Sequence, residues 1–306
     1  MPSEAFVCGA TTQHFGDPDH FQSAIVGCSG MYTVLGRGEF HADLASIRVG
    51  RLLLQRGQET LPKLSSTALP QNRVGILGWL HDGKLPIVRG IQMQPGEFFC
   101  LGSGMESHHR VSGANDFALL TLDPVNLASA ASDLTGRELV VSGGQVIRPH
   151  GHVGAWLLSV MDAATRASLA TPGIFSSPAA SKALEQALLG PMIGCFLDSD
   201  IRRDSVPRSH RAAMAKRFEA AVEGHLDRPL LISDLCRMLN ITARSLNILC
   251  QEQIGMSAQQ FLARRRLKSQ RGISRYNSRQ PRLAIVPDIS VALSDPAALP
   301  VAADRP

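Results

Sequence analysis

Residues 228–255 read RPLLISDLCRMLNITARSLNILCQEQIG, and the spacing of their apolar side chains decides how this part of the chain folds. Leu235, Cys236 and Leu239 recur at helical intervals, so the first half of the stretch is expected to be an amphipathic helix with one buried stripe. Ser233 is expected to cap its free N–H groups, and Asp234 suits the positive end of the helix dipole. Asn240 should end the helix, because Asn tolerates the left-handed conformation that a tight turn requires. Thr242 then caps a second helix, in which Leu246, Leu249, Cys250 and Gln253 share one face. The opposite face carries Arg244, Ser245, Asn247, Ile248 and Gln251. Four of these are long or hydrogen-bonding enough to reach base edges in a DNA groove, and Ile248 offers an apolar surface to a thymine methyl. Two short helices around a tight turn, apolar inside and polar outside, form a helix-turn-helix pattern.

The flanks extend the pattern. Upstream, Arg211–Asp227 has Ala215, Phe218, Ala221, Val222 and Leu226 at three- and four-residue intervals, as a supporting helix requires. Downstream, Gly255 is expected to stop the second motif helix and Ser257 to cap another. That helix, over Ala258–Arg271, has Phe261, Leu262 and Leu267 on one side and Arg264, Arg265, Arg266 and Lys268 in a cationic run. From Arg208 to Arg282 there are 15 Lys or Arg against five Asp or Glu, whereas the whole chain has 31 against 26. The excess of cations is thus concentrated around the motif, which is the electrostatic footprint of phosphate binding. The core L-C-R-x-L at Leu235–Leu239, the S-L-x-x-L-C of Ser245–Cys250 and the G-x-S at Gly255–Ser257 resemble the first half of the DNA-binding domain of the AraC/XylS family of bacterial transcription regulators. The resemblance runs from about Phe218 to Lys268. It implies DNA-binding roles for Arg244, Ser245, Asn247, Ile248, Gln251, Arg264, Arg265, Arg266 and Lys268.

The rest of the chain has a different period. Glu39–Gly57, Asn72–Leu80, Lys84–Met93, Glu97–Gly102 and Phe117–Leu122 are short runs rich in β-branched or aromatic residues, divided by Gly, Pro and Asn. They predict an antiparallel sandwich or barrel. Arg89–Glu97, RGIQMQPGE, is similar to the Pro-x-Gly turn of cupin barrels, and the region from about Phe15 to Leu134 resembles the sensing domain attached to many AraC-type regulators. Metal-binding cupins use an H-x-H pair, a Glu and a later His around one ion. Here the corresponding strand, RVGRLLLQRG, has no histidine. His108 and His109 are adjacent and so point to opposite faces of a strand, and His150 and His152 belong to a loop. No Gly-rich phosphate loop, G-x-S-x-G or paired catalytic carboxylates are visible, so neither an enzyme, a metal nor a cofactor is expected.

The expected fold class is α+β, in four parts. Residues 15–148 form a cupin-like β-barrel for sensing or interaction, 149–200 a helical connector, and 208–271 an all-α helix-turn-helix DNA-binding domain with only the first motif and the linker helix. Residues 272–306, with Pro281, Pro287, Pro296, Pro300 and Pro306 and no helical stripe, are expected to be a disordered tail. They stand where the family has its second motif, which suggests a truncated or frameshifted reading frame. In the connector, Leu157, Val160, Met161, Leu184, Leu188 and Ile193 can either meet a partner chain or pack back on the barrel. With 306 residues, 44% apolar and 19% charged, the chain can bury a substantial core. Its six cysteines show no metal or redox spacing, and no run approaches the 18 apolar residues of a membrane span, so a cytoplasmic protein with buried thiols is expected. The resemblance implies double-stranded DNA as partner and leaves room for an unknown small-molecule effector, a homodimer and RNA polymerase. The rival reading is an effector-binding or assembly protein that has lost DNA binding.

Overall fold

The computed structural model describes residues 9–25, 32–80, 85–89, 91–202, 214, 217–218, 221, 230–253 and 257–263. The chain divides after Phe261, and of its second unit only residues 262–263 are described. Thirteen strands fall within the described residues: β1 (Gly9–Phe15), β2 (Tyr32–Val34), β3 (Ala42–Val49), β4 (Leu52–Glu59), β5 (Lys63–Ala68), β6 (Val74–Trp79), β7 (Ile87–Val88), β8 (Ile91–Gln92), β9 (Phe98–Leu101), β10 (Glu106–Val111), β11 (Asn115–Leu122), β12 (Val146–Pro149) and β13 (Ser199–Arg202). They form two antiparallel sheets. The larger runs β1-β3-β4-β11-β6-β9-β12-β13 and the smaller β2-β5-β10-β7-β8. Among the described residues no strand pairing joins the two, so of the expected sandwich or barrel the described strands form a pair of stacked sheets, with no barrel closure among them.

The runs that read as continuous apolar strands are buried on both faces. In β9, Phe98 and Cys100 face one core, and Phe99 and Leu101 the other. In β11, Ala118, Leu120 and Leu122 alternate with Phe117 and Leu119 in the same way. The large sheet is therefore the middle of three layers, with the small sheet on one face and helices on the other. Glu39–Gly57, a single stretch by composition, is a hairpin of β3 and β4 that turns at Gly50, whose φ of 51° suits glycine. Gly57 faces Phe117 so closely that a Cβ would lie 2.3 Å from the Phe117 ring, so the ring takes the space that a side chain at position 57 would need.

Helices α2 (Pro124–Thr135), α3 (Val153–Ala170) and α4 (Pro178–Leu197) make the third layer; α1 (Pro18–Ala24) contributes Phe21 to the core between the sheets. Leu157, Met161, Leu184, Leu188 and Ile193 are buried in one cluster with Ile47, Leu54, Ile76 and Phe98 of the large sheet, while Val160 packs partly buried at its edge. Of the two alternatives for residues 149–200, packing back on the sheet is the one found. Strands β12 and β13 pair with each other on either side of α3 and α4, and β12 continues the sheet beside β9. The helical pair is thus a layer of the β module rather than a stalk leading away from it, and β1 starts the module ahead of Phe15. Two polar ties fix these layers. Arg56 on β4 donates to both carboxylate oxygens of Asp116 on β11, at 2.9 and 2.7 Å, and at 2.7 Å to Asp162 on α3. Glu97, 2% exposed, accepts from the Gln94 N–H at 2.8 Å and from Arg148 and Arg202 of β12 and β13 at 3.2 and 2.9 Å. Residues 201–202 belong to the sheet; residues 264–306, with the expected tail, lie outside the described residues.

Candidate nucleic-acid interface

The first motif helix is Ile232–Leu239 and the second Ala243–Gln253. The first begins two residues earlier than a cap at Ser233 would place it. Ser233 lies inside the first turn and does not cap it; instead the Asp234 carboxylate reaches back to the Leu231 N–H at 3.3 Å. Leu has no side-chain acceptor, so the carboxylate serves the helix start both as hydrogen-bond partner and as charge. Leu235 and Leu239 are buried as the stripe requires, while Cys236 is only partly buried. Asn240 ends the helix at φ 54° and ψ 50°, and the next N–H, of Ile241, bonds back to the Cys236 carbonyl at 3.0 Å. This is the left-handed termination foreseen for Asn at this position.

Thr242 caps the second helix: its Oγ1 accepts from the Ser245 N–H at 3.1 Å and its carbonyl from Leu246 at 2.9 Å. Leu246, Leu249 and Cys250 are buried on the inner face, and burial pushes the Cys250 thiol up to about 12, so it packs as a small apolar group. Ser257 and Gln260 then form a reciprocal capping box, at 3.2 and 3.1 Å, for the helical residues 258–263. Phe218, from helical positions 217–218, meets the Phe261 ring at 5.5 Å and closes the small core, and Arg217 donates to the Met238 carbonyl at 3.4 Å. Each buried Leu or Phe here contributes about 1.5–3 kcal/mol. This hydrophobic cluster, rather than the polar face, holds the two helices at their angle.

Arg244, Ser245, Asn247, Ile248 and Gln251 all lie exposed along the outside of the second motif helix, with Ile248 47% exposed. The structure thus brings these five sequence-predicted residues onto one surface. Two of them also have partners within the chain: Ser245 Oγ lies 3.0 Å from Thr242 Oγ1, and the Asn247 Oδ1 accepts from the Ala258 N–H at 3.1 Å. Arg237, on the first motif helix, is exposed but bonded to Asp234 at 2.6 Å. Arg264, Arg265, Arg266 and Lys268 lie outside the described residues.

The histidines of the β module take other roles. His109, on β10, is buried between the sheets, 2.5 Å from Ser107 Oγ and edge-on to Phe99. Burial first, and then the positive charge that Lys63, His108 and Arg89 can place beside it, hold its pKa down at about 3. His150 pairs with Asp200 at 3.1 Å, and His152 is exposed at the start of α3. Among the described residues no group of three His, Cys, Asp or Glu is arranged to hold a metal ion, and no helix is long and apolar enough to cross a membrane. One polar cluster gave no sign of itself in the sequence. Glu59, at the end of β4, is fully enclosed and accepts from the Lys63 ammonium, the Tyr32 hydroxyl and, at 3.1 Å, the Asn115 amide. Its partners are 4, 27 and 56 residues away. The cavity beside Lys63, His109 and Asn115 measures about 50 Å³. Small-molecule pockets measure about 300–1,000 Å³, so in this conformation that cavity has room for a water or two and no effector.

No family model matches the chain, and no curated protein matches it. Among solved structures, it is similar to an apo form of ToxT from Vibrio cholerae, at 9% identity over 81% of this chain and 83% of that one, with a TM-score of 0.25. It is also similar to a mutant of hydroxyethylphosphonate dioxygenase, at 11% identity over 80% and 54% of the two chains, with a TM-score of 0.17. Both scores are too low for either likeness to bear on fold or function.

Proposed function

We propose that this chain is a sequence-specific DNA-binding transcription regulator of the AraC type, with no catalytic activity of its own, acting in the cytoplasm. Its second motif helix enters the major groove, and the two-sheet module, cupin-like in its strand pattern, is the attached sensing or interaction domain. A single observation carries this reading. Two capped helices are joined through a left-handed Asn240, and the second turns an exposed face of Arg244, Ser245, Asn247, Ile248 and Gln251 outward with no acid among those five. Such a face meets the donor and acceptor pattern of base edges without repelling phosphate. The cation excess around the motif supports the same reading, because phosphate neutralisation supplies most of the affinity for any sequence.

The test is fluorescence anisotropy of the full chain on duplexes selected from a random pool and on unselected duplexes, over a range of salt. Selected duplexes should bind more tightly, and log K should fall linearly with log salt by about 0.9 for each phosphate neutralised. Arg244→Ala should cost about 1–3 kcal/mol on selected DNA and far less on unselected DNA. Equal losses on both would confine Arg244 to phosphate, and a wild-type chain that enriches no sequence would end the proposal.

A further inference from the structure

Asn247 lies on the polar face of the second motif helix, yet its amide oxygen is already engaged. Asn247 Oδ1 accepts from the backbone N–H of Ala258, eleven residues on, at 3.1 Å. Since a backbone N–H can only donate, the carboxamide must turn its oxygen there and its NH₂ outward. Ala258 is fully buried and opens the next helix, where the first N–H groups have no intrahelical partner. Ser257 satisfies only the N–H of Gln260 with its side chain and that of Phe261 with its carbonyl, so the Ala258 N–H falls to Asn247. Reading adenine requires Oδ1 and NH₂ of one Asn turned together to one base. Doing so here leaves a buried amide unpaired, a cost as large as the discrimination that one bidentate contact contributes. Ser245 is tied in a similar way, through its N–H and Oγ, to the cap formed by Thr242. Among the described residues, the exposed ones of this face without such a tie are Arg244, Ile248 and Gln251, which at i, i+4 and i+7 follow one line along the helix.

We propose that Asn247 is a positioning residue that fixes the start of the following helix against the second motif helix, and that base preference is set by the stripe Arg244, Ile248 and Gln251. This rests on the DNA-binding function proposed above. The role of Asn247 is then to hold the start of that helix in place without reading a base, so its loss weakens binding to every sequence alike.

Two measurements test it. In the free chain, hydrogen exchange at the Ala258 amide should speed up about tenfold in Asn247→Ala and stay near wild type in Asn247→Asp, which keeps an acceptor at the helix N-terminus. Unchanged exchange in Asn247→Ala overturns the positioning role. Selection from a random duplex pool should give Asn247→Ala the wild-type pattern of base preference, with all duplexes bound more weakly by a common factor. Arg244→Ala should lose preference at one base pair by roughly 5- to 150-fold. Loss of preference at a single base pair in Asn247→Ala overturns the assignment. If the wild-type chain enriches no sequence, the DNA-binding function itself fails, while the exchange measurement still decides whether Asn247 holds the next helix.

Discussion

His109 should make the two-sheet module labile to mild acid, and the size of the effect follows from its surroundings. Its ring is buried between the sheets beside Lys63, His108 and Arg89, so in the folded chain it takes a proton only near pH 3, against 6.5 when unfolded. Between those values the unfolded chain binds the extra proton, and folding stability therefore falls as pH falls. At pH 5 the unfolded ring is almost wholly protonated and the folded ring almost wholly neutral, which costs about 2 kcal/mol relative to neutral pH. Below pH 3 the cost levels off at about 5 kcal/mol, the full difference between the two states. Trp79, buried in the same core, reports on unfolding of the sheets, whereas the other tryptophan, Trp156, is exposed on α3. In urea, with a slope of about 3 kcal/mol per molar, the midpoint seen by Trp79 fluorescence should drop by roughly 0.7 M between neutral pH and pH 5 on account of this residue. His109→Gln keeps a hydrogen-bonding group for Ser107 but cannot be protonated. The variant should start less stable at neutral pH, since it loses the edge contact with Phe99, and should then lose about 2 kcal/mol less than wild type on acidification. The remaining histidines and carboxylates contribute equally to both proteins and cancel. Equal midpoint losses in wild type and His109→Gln would refute the reasoning.

Glu59 and Asn240 carry further predictions. Glu59→Gln leaves the enclosed Lys63 ammonium without its counter-charge and should destabilise the module by about 3–5 kcal/mol in urea titrations. Adding Lys63→Met should recover a large part of that loss, and a strictly additive double variant would show that the pair is not coupled. Asn240→Gly should be near neutral, whereas Asn240→Ala should cost about 1 kcal/mol, read as faster hydrogen exchange of Leu235–Leu239 amides, because alanine is strained at φ 54°. Equal exchange in the two variants would remove the turn argument.

The helix-turn-helix was legible in the sequence because everything it needs is local. The stripe of Leu235 and Leu239, the left-handed Asn240, the cap at Thr242 and the capping box at Ser257 all act over three or four residues, and each lies where the spacing placed it. The local errors were small: Asp234 rather than the adjacent Ser233 serves the helix start, and Cys236 of the stripe is only partly buried. Part of the sheet was legible too, since β9 and β11 announce themselves as short apolar runs between turns, whereas β1, β2, β5, β10, β12 and β13 did not. Strand partners were not legible. That the strands pair into two stacked sheets, that α3 and α4 cover the large sheet, and that β13 returns to lie beside β12 depend on pairings across up to 68 residues, between Leu53 and Thr121, and 56 between Val146 and Arg202. The same holds for the polar groups. A carboxylate such as Glu59 or Glu97 looks like any surface acid in sequence, and only the fold brings Tyr32 and Asn115 to the one and Arg202 to the other. Asn247 shows the division within one side chain. Helical periodicity placed it on the outer face, but the direction of its amide oxygen was set by where the chain returns at Ala258. Backbone geometry repeats every few residues and can be read from spacing, whereas a hydrogen bond between distant residues exists only once the whole chain has closed around it.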